Sequence, residues 1–504
     1  MTKSITTVWF IALLTGLMSM CTATVQAQNP TSGTAGPLTW KYDTDMRILT
    51  ISGKGEIPNY DWEHPVPWQE HSLDIQKLVV EEGVTGIGDN AFRGARSLIS
   101  VTLPKTATRI GDRSFVACES LPTISIPAGV IKIGPAAFGA CESLTSVTLP
   151  DGLKEIAQIA FTMCYELATV TIPASVETIG TGAFSSCGSL SAITVAAGNA
   201  NYVAVDGVLF NKAKTMLFQY PAGRADTSYV IPAEVTSIKE QSFDAAGRLT
   251  SVKFPAGLVS IEDYAFAGCS ALNAITIPAA VKTISRDAFS HMRSLTEITV
   301  EGANTAYASV EGVLFDKNKT RLLKYPQGRP ATTYAIPTRV TTIDTFSFGD
   351  AKKLSSITLP ASVTAIEGYA FSGCENLKSL TVGMKTPPAI NENESVFGEV
   401  PVANVTLTVP KGSKAAYAAA PVWKEFKQIG ESTVGNVALP EARIYAAGGR
   451  LYLTLQTAAP VGIYTLNGVL VRTISAPAGE TTVALPQGVY IVRVGDTAEK
   501  VYVN

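Results

Sequence analysis

Aromatic and aliphatic residues recur along most of this chain with a period of 23 residues. After each aromatic position a Leu, a short alternating run such as Ser146-Val-Thr-Leu149, a Pro and an Ile follow in the same order. The alternating run predicts a short strand, which the Pro ends. The repeated aromatic is Phe92, Phe115, Phe138, Phe161, Phe184, Phe243, Phe266, Phe289, Phe348 and Phe371. One such unit cannot bury its apolar side chains alone, so the period predicts a solenoid of stacked coils.

Two longer intervals interrupt this period, and both equal 59 residues, which is two coils plus 13 extra residues. Tyr220 and Tyr325 take the aromatic position of the middle coil in each interval. The two insertions are copies 105 residues apart, since Val205-Asp-Gly-Val-Leu-Phe210 recurs as Val310-Glu-Gly-Val-Leu-Phe315. With Trp68 as a degenerate first position and Phe397 as an elongated last one, the chain holds about fourteen coils.

Six cysteines beyond position 30 share one column of the repeat, where other coils have Ala or Met. They are Cys118, Cys141, Cys164, Cys187, Cys269 and Cys374. A column that exchanges Cys with Ala and Met indicates a buried apolar position. Stacked neighbours would lie about 4.8 Å apart with parallel Cβ vectors, which aims the sulfurs wrongly for a bridge. We therefore expect free buried thiols rather than disulfides.

The first residues are typical of an export signal. Lys3 precedes the apolar run Val8–Leu17, and Val25-Gln-Ala27 supplies the small residues of a cleavage site, so residues 1–27 are the predicted leader. A lipid anchor at Cys21 is the minor alternative, because Met20 is too large for that signal. Since no later apolar stretch reaches about 18 residues, we expect no transmembrane helix in the mature chain.

The repeats resemble the BspA-type leucine-rich repeats of bacterial surface proteins. Ile179-Gly-Thr-Gly-Ala-Phe184-Ser-Ser-Cys187-Gly-Ser-Leu190 carries the pattern, and Leu38-Thr-Trp40 with Leu49–Gly55 looks like the family's β-rich cap. The resemblance covers roughly residues 36–430 and implies a right-handed leucine-rich-repeat solenoid of short strands and short helices or turns. It also implies adhesion at the cell surface, including binding of host matrix proteins such as fibronectin and fibrinogen.

After Gly430 the period stops, and short alternating runs follow, with Asn467-Gly468 as a predicted hairpin turn. This predicts an antiparallel β-sandwich. Its end, Gly488-Val-Tyr-Ile-Val-Arg-Val494 and Lys500–Asn504, resembles the C-terminal sorting domain of the type IX secretion system; an ordinary terminal β-module is the alternative. The predicted domains are the leader 1–27, the cap 28–67, the solenoid 68–430 and the sandwich 431–504.

Composition argues against several classes of function. Only 16% of the residues are charged, and 40 Lys+Arg against 42 Asp+Glu give a net charge of −2, so the basic surface of a nucleic-acid-binding protein is missing. Outward repeat positions carry Ser and Thr without a base or a carboxylate pair, and we predict no catalysis and no cofactor. His64 and His71 could hold a metal with Glu63 and Glu70, but the favoured interpretation is a surface loop of the cap.

Two features are the candidate contact sites. Outward strand positions form a ladder of Ser and Thr that includes Thr148 and Thr171 and is interrupted by Lys253 and Glu297. Each rung alone is a solvated strand residue, and only the whole array suggests a platform. The insertions repeat a Tyr, Pro and Arg motif, a composition enriched at interfaces. Its candidate residues are Tyr220, Arg224, Tyr325 and Arg329.

The expected function is binding at the cell surface or after secretion, most simply adhesion to an extracellular protein or a glycan. A structural spacer and a glycan-binding or glycan-processing accessory protein are the alternatives. The type IX machinery is the expected partner of the C-terminal domain.

Overall fold

The computed structural model describes residues 30–432, 442–447, 450–455, 458–494 and 497–503. From Lys77 to Glu431 the chain winds into a β-solenoid of about 15 turns with almost no helix. This confirms the predicted fold class. One turn more is present than we predicted, because Gln428–Glu431 adds a strand after the coil of Phe397. The predicted leader, residues 1–27, lies outside the described residues.

Each typical coil contributes one strand to each of two parallel ladders. The strands of the first, which we call the long ladder, are Lys77–Val80, Ser100–Thr102, Thr123–Ser125, Ser146–Thr148, Thr169–Ile172, Ala192–Val195, Ser228–Val230, Ser251–Lys253, Ala274–Ile277, Glu297–Val300, Thr333–Ala335, Ser356–Leu359, Ser379–Val382, Thr406–Val409 and Gln428–Glu431. The strands of the second, the short ladder, are Val84–Gly86, Arg109–Ile110, Lys132–Ile133, Glu155–Ile156, Thr178–Ile179, Met216–Gln219, Ser237–Ile238, Ser260–Ile261, Thr283–Ile284, Arg321–Lys324, Thr342–Ile343 and Ala365–Ile366. Register within the ladders follows the repeat: Lys132 pairs with Glu155, and Ile133 with Ile156, 23 residues on.

The remaining side of each coil is a series of turns that carries the aromatic and cysteine columns. Phe138 stacks on Phe115 and on Phe161 with ring centroids 5.3 Å apart on both sides. The six cysteines are free and buried, as predicted, and the thiol of Cys141 donates to the carbonyl of Phe115 at 3.3 Å. Burial of these columns between successive coils is the main stabilising contribution to a repeat architecture.

A small antiparallel sheet closes the N-terminal end. Ser32–Ala35, Leu38–Asp43 and Ile48–Gly53 pair in sequence, and the last of them pairs in parallel with Lys77–Val80, the first strand of the long ladder. Gly55–Glu56 pairs with the short ladder in the same way. The cap thereby covers the backbone edge that a stack of strands would otherwise expose.

Helical turns are few in the described part of the chain. The α-helix Lys414–Ala419 belongs to the last turns of the solenoid, and short 3₁₀ segments occur at Gln69–His71, Val402–Asn404 and Trp423–Glu425. The segments between the aromatic and cysteine columns, for which the sequence left helix or turn open, are turns.

The two insertions form β-hairpins that replace a corner of the coil. Tyr202–Val205 pairs with Val208–Asn211, and Tyr307–Val310 pairs with Val313–Asp316, both antiparallel. Successive side chains on the second strand of the first hairpin point into different hydrophobic clusters. Leu209 packs in the cluster formed by the coils that precede the insertion, whereas Val208 and Phe210 pack in the cluster formed by the coils that follow it. Each hairpin is therefore a partition, and the solenoid interior consists of three consecutive hydrophobic clusters.

The C-terminal unit is antiparallel and has its own hydrophobic cluster, as predicted. One sheet contains Ala442–Ala447, Arg450–Leu455 and Gly479–Ala484; the other contains Ala459–Thr465, Leu470–Ala476, Gly488–Val494 and Thr497–Val503. The predicted hairpin turn at Asn467-Gly468 connects two of these strands, and Gly468 has a φ of 77°, which glycine adopts readily.

Candidate functional site

Tyr220 and Tyr325, which we expected at a contact surface, lie in the core. Each is 1% exposed, and each continues the aromatic column by stacking on Phe243 or Phe348, with centroid distances of 5.1 and 5.2 Å. Burial raises the pKa of Tyr220 to about 12. Their assignment as partner-binding side chains is corrected, because a buried ring offers no surface to another molecule.

Arg224 is also part of the internal structure, since only 18% of its side chain is exposed. One guanidinium nitrogen donates to the carbonyl of Asp206, while Nε donates to Oδ2 of Asp226 at 2.6 Å. The guanidinium lies 5.5 Å from the centre of the Tyr220 ring. Asp206 and Gly207 both have positive φ angles, 48° and 78°, as a two-residue hairpin turn requires. Arg224 therefore fastens the tip of the first hairpin to the next coil.

Arg329 repeats this contact in the second insertion. It donates to the carbonyl of Glu311 and lies 5.5 Å from the ring centre of Tyr325. Ala331 stands where the first copy has Asp226, so the guanidinium has no ion pair among the described residues. The two arginines explain the repeated Tyr-Pro-x-Gly-Arg motif as a structural device, which corrects our expectation of exposed contact residues.

Sequence reasoning missed Asn199, which is 1% exposed at the start of the first insertion. Its Nδ2 donates to the carbonyls of Pro173 and Val176 at 2.9 and 3.1 Å. Its Oδ1 accepts the backbone N–H groups of Asn201 and Tyr202 at 2.9 and 2.8 Å. All hydrogen-bonding positions of this amide are thus used to hold the chain where it leaves the coil.

The same insertion interrupts the short ladder after Thr178–Ile179, and a side chain takes the place of the next strand. The hydroxyl of Tyr202 accepts the backbone N–H of Ile179 at 2.8 Å, in place of the carbonyl of a further strand. In the second copy Asn304 makes the bonds of Asn199, and Tyr307 accepts from Ile284 at 2.7 Å. The 105-residue spacing of these Asn and Tyr residues was the signal that could have identified them.

The Ser/Thr ladder is exposed, as its alternation predicts. Thr148 and Thr171 both point to solvent from the long ladder. Thr171 shares a hydrogen bond with Thr194 on the next rung, with 2.8 Å between the hydroxyl oxygens. Such pairs recur, for example between Ser356 and Ser379 at 2.8 Å. Individual rungs thus behave as ordinary strand residues, while the array presents a hydroxyl-rich surface that Lys253 and Glu297 interrupt.

Trp62 is a surface feature that the repeat pattern could not reveal, because it lies in a loop of the cap. Its side chain is 86% exposed, and the Arg93 guanidinium lies 4.6 Å from the ring centre. Asp61 orders this loop by accepting the N–H groups of Glu63 and His64 at 2.9 and 2.7 Å. Exposed Trp and Arg are the residue types that most often dominate binding energy at interfaces.

The two cap histidines have different environments. His71 is buried, stacks on Tyr42 at 4.4 Å and contacts the carbonyl of Pro30 at 2.9 Å, whereas His64 lies at the surface beside Asp61. Within the described ranges, no three His, Cys, Asp or Glu side chains are grouped as metal ligands. No helix among these residues is long and apolar enough to cross a membrane.

Parallel short strands, stacked aromatic and cysteine columns and a capped end define a leucine-rich-repeat solenoid. The model of the BspA type leucine rich repeat region matches residues 70–202, 223–328 and 325–394 in six copies, which is more than half of the chain. The chain therefore belongs to this family. No curated protein matches it at a significant level.

Several solved structures are similar to the chain. A leucine-rich repeat protein from Eubacterium ventriosum is 26% identical, with a TM-score of 0.52 over 69% of this chain and 90% of that one. A leucine rich cell surface protein from Faecalibacterium prausnitzii is 24% identical, with a TM-score of 0.41 over 70% and 95%. The pneumococcal vaccine antigen PcpA is 20% identical, with a TM-score of 0.41 over 80% and 99%. The first of these agrees with the solenoid fold derived above.

Proposed function

We propose that this chain is an exported surface protein that adheres to an extracellular protein, and that it binds without catalysis. The observation that carries the proposal is the exposed, hydroxyl-rich surface along the long ladder, which only a few charged side chains such as Lys253 and Glu297 interrupt among the described strands. Its outward residues alternate with buried ones in strand after strand, as in Thr169–Ile172. Membership of a family of repeat proteins whose stacked coils provide extended binding surfaces supports this reading.

The physical basis is a low cost of desolvation spread over a large area. Ser and Thr hydroxyls that already pair with one another lose little when water leaves, and each can accept or donate one more hydrogen bond. Many weak contacts of this kind can add to specific binding when the surface is rigid beforehand. The three packed clusters beneath the ladder provide that rigidity.

A binding assay with the chain from residue 28 onward tests the proposal. Immobilised fibronectin and fibrinogen and a glycan array are the probes. Thr148→Glu and Thr171→Glu each place an unpaired charge on the long ladder and should weaken protein binding by about tenfold or more. Thr283→Glu, a matched change at an exposed position of the short ladder, should leave binding unchanged.

Three outcomes would count against adhesion through the long ladder. Equal weakening by the Thr283 variant would mean a general effect of charge. Binding to glycans alone would favour a glycan-binding accessory protein, and saturable binding to no probe would favour the structural spacer.

For the C-terminal unit we propose a role as a type IX sorting domain, preceded by an export leader at residues 1–27. The proposal rests on the sequence resemblance of Gly488–Val494 and on a hydrophobic cluster separate from the solenoid. A reporter protein with residues 1–27 at its N-terminus and residues 431–504 at its C-terminus should reach the surface of a host with that secretion system. A reporter retained in the periplasm would contradict the proposal and leave a plain terminal β-module.

A further inference from the structure

The regular bonding between coils is broken where the first insertion begins. In the preceding coil the N–H of Phe161 donates to the carbonyl of Ala183 at 2.8 Å, and the N–H of Ile159 donates to that of Thr181 at 2.9 Å. The equivalent N–H groups one coil later belong to Phe184 and Gly182. Both residues are buried, and neither N–H has an acceptor among the described residues. Buried N–H groups without a partner are rare in folded proteins and call for one.

A cavity of about 190 Å³ lies at this break, which we call the first junction. Its wall includes Thr181, Gly182, Phe184, Phe218, Gln219 and Glu240. The two residues with unpartnered N–H groups are therefore part of its wall. Since a cavity of about 150 Å³ admits a benzene ring, this one has room for a single six-membered ring with a substituent.

The cavity wall also offers an acceptor. Glu240 adds a carboxylate whose pKa is raised by partial burial and by the nearby Asp263. The ammonium of Lys239 is paired with Glu262 at 2.6 Å, so it leaves little free positive charge for an anion.

We infer that the first junction binds one neutral sugar ring. A pyranose presents hydroxyls that both accept and donate, which the N–H groups of Gly182 and Phe184 and the carboxylate of Glu240 require together. Its C–H face suits the apolar side of the cavity, which includes Phe218. An extended peptide would also offer both kinds of group but needs an open groove rather than a space for one ring. This site is independent of the long ladder.

The second insertion has a corresponding junction, because each residue in the wall of the first-junction cavity has a counterpart 105 positions later. The two junctions can therefore be compared residue by residue. Thr181 and Gly182 become Arg286 and Asp287, and Gln219 becomes Lys324. The Arg286 guanidinium reaches across the second junction to Thr345, with Nη1 3.5 Å from its hydroxyl. At these three positions the second junction thus places charged side chains where the first has neutral ones.

The experiment uses the full mature chain and the methyl glycosides of glucose, galactose and N-acetylglucosamine as probes, measured by saturation-transfer NMR and calorimetry. We expect saturable binding of at least one glycoside. Thr181→Arg, which copies the second junction, should weaken it by about tenfold or more. Arg286→Thr, the reverse change at the matched position, should leave binding at the first junction unchanged.

A second variant keeps the test decisive if Thr181→Arg disturbs folding. Glu240→Thr copies Thr345, removes one acceptor from the wall and should weaken glycoside binding several-fold while the melting temperature stays close to that of the parent. The inference is overturned if no glycoside binds, if both Thr181→Arg and Glu240→Thr bind like the parent, or if a glycoside-soaked crystal shows only water in the cavity. None of these results bears on protein binding by the long ladder, which the Thr148 and Thr171 variants report.

Discussion

The two insertions share a backbone and differ in the side chains placed between the coils. Both open with a fully bonded Asn, both interrupt the short ladder with a Tyr hydroxyl that accepts the last backbone N–H, and both anchor the hairpin tip with an Arg over a buried Tyr. These shared residues satisfy groups that any interruption of a solenoid would leave unbonded. They mark what a coil needs in order to accommodate 13 extra residues.

The two junctions differ in their charged side chains. In the second, Arg321 on the short ladder pairs with Asp344 at 2.8 Å and also with Glu367. At the corresponding place in the first copy, the one ion pair among the described residues is Lys239–Glu262. Residues repeated in both copies therefore report the demands of the fold, and residues that differ are the better candidates for function.

The largest effect is expected from removing the shared Asn. Asn199→Ala leaves two buried carbonyls and two N–H groups without partners, and the same holds for Asn304→Ala, so each should lower the free energy of unfolding by about 3–5 kcal/mol. Denaturant titration followed by circular dichroism measures this. Asn201→Ala, at an exposed neighbour, is the control. If either variant lowered the free energy of unfolding by much less than the other, the two Asn residues would not have equivalent roles in the two insertions.

The next largest effect is expected in the pH dependence of the free energy of unfolding, to which Lys324 of the second junction contributes. Lys324 is 4% exposed where the first copy has Gln219, and burial lowers its pKa to about 8, although Asp287 and Asp350 act against this shift. The unfolded chain keeps this proton up to a pKa of about 10.5, so it binds more protons than the folded chain between these values. The free energy of unfolding should therefore gain up to about 3 kcal/mol from this group as the pH rises through that window.

Matched exchanges isolate this contribution from that of the titrating tyrosines. Lys324→Gln should remove the gain, and Gln219→Lys should create a similar one at the first junction. Thermal melts from pH 7 to pH 10.5 provide the measurement. Parallel curves for the parent and Lys324→Gln would mean that the ammonium is hydrated in the folded protein.

These differences also explain what the sequence could and could not predict. Period 23 and strand alternation require stacked coils, so the solenoid, the buried cysteines and the aromatic positions of Tyr220 and Tyr325 were predictable. The inward orientation of the Arg224 side chain was not predictable, because its acceptor is the backbone carbonyl of Asp206. A backbone acceptor leaves no signature in the sequence. Trp62 lies in a cap loop outside the repeat columns, where periodicity carries no information. The first-junction cavity lies where the insertion interrupts the period.

A smaller effect should distinguish the two hairpin arginines. Arg224→Ala removes the bonds to the Asp206 carbonyl and to the Asp226 carboxylate, and should cost about 1–2 kcal/mol. Arg329→Ala removes only the carbonyl bond and the ring contact, so it should cost less. Chemical denaturation of the two variants compares them directly. A larger loss for Arg329→Ala would show that the carboxylate contributes nothing in the first copy.

The smallest effect tests the same asymmetry by addition. Ala331→Asp places in the second copy the carboxylate that Asp226 provides in the first, within reach of the Arg329 guanidinium if the two hairpins are equivalent. Because position 331 is partly exposed, water and salt weaken the new pair, and a gain of about 0.5–1 kcal/mol is expected. The gain should shrink at high ionic strength and vanish in the Arg329→Ala background, where the carboxylate has no partner. A gain that persists in that background would come from the residue change alone and would remove the pairing argument for both insertions.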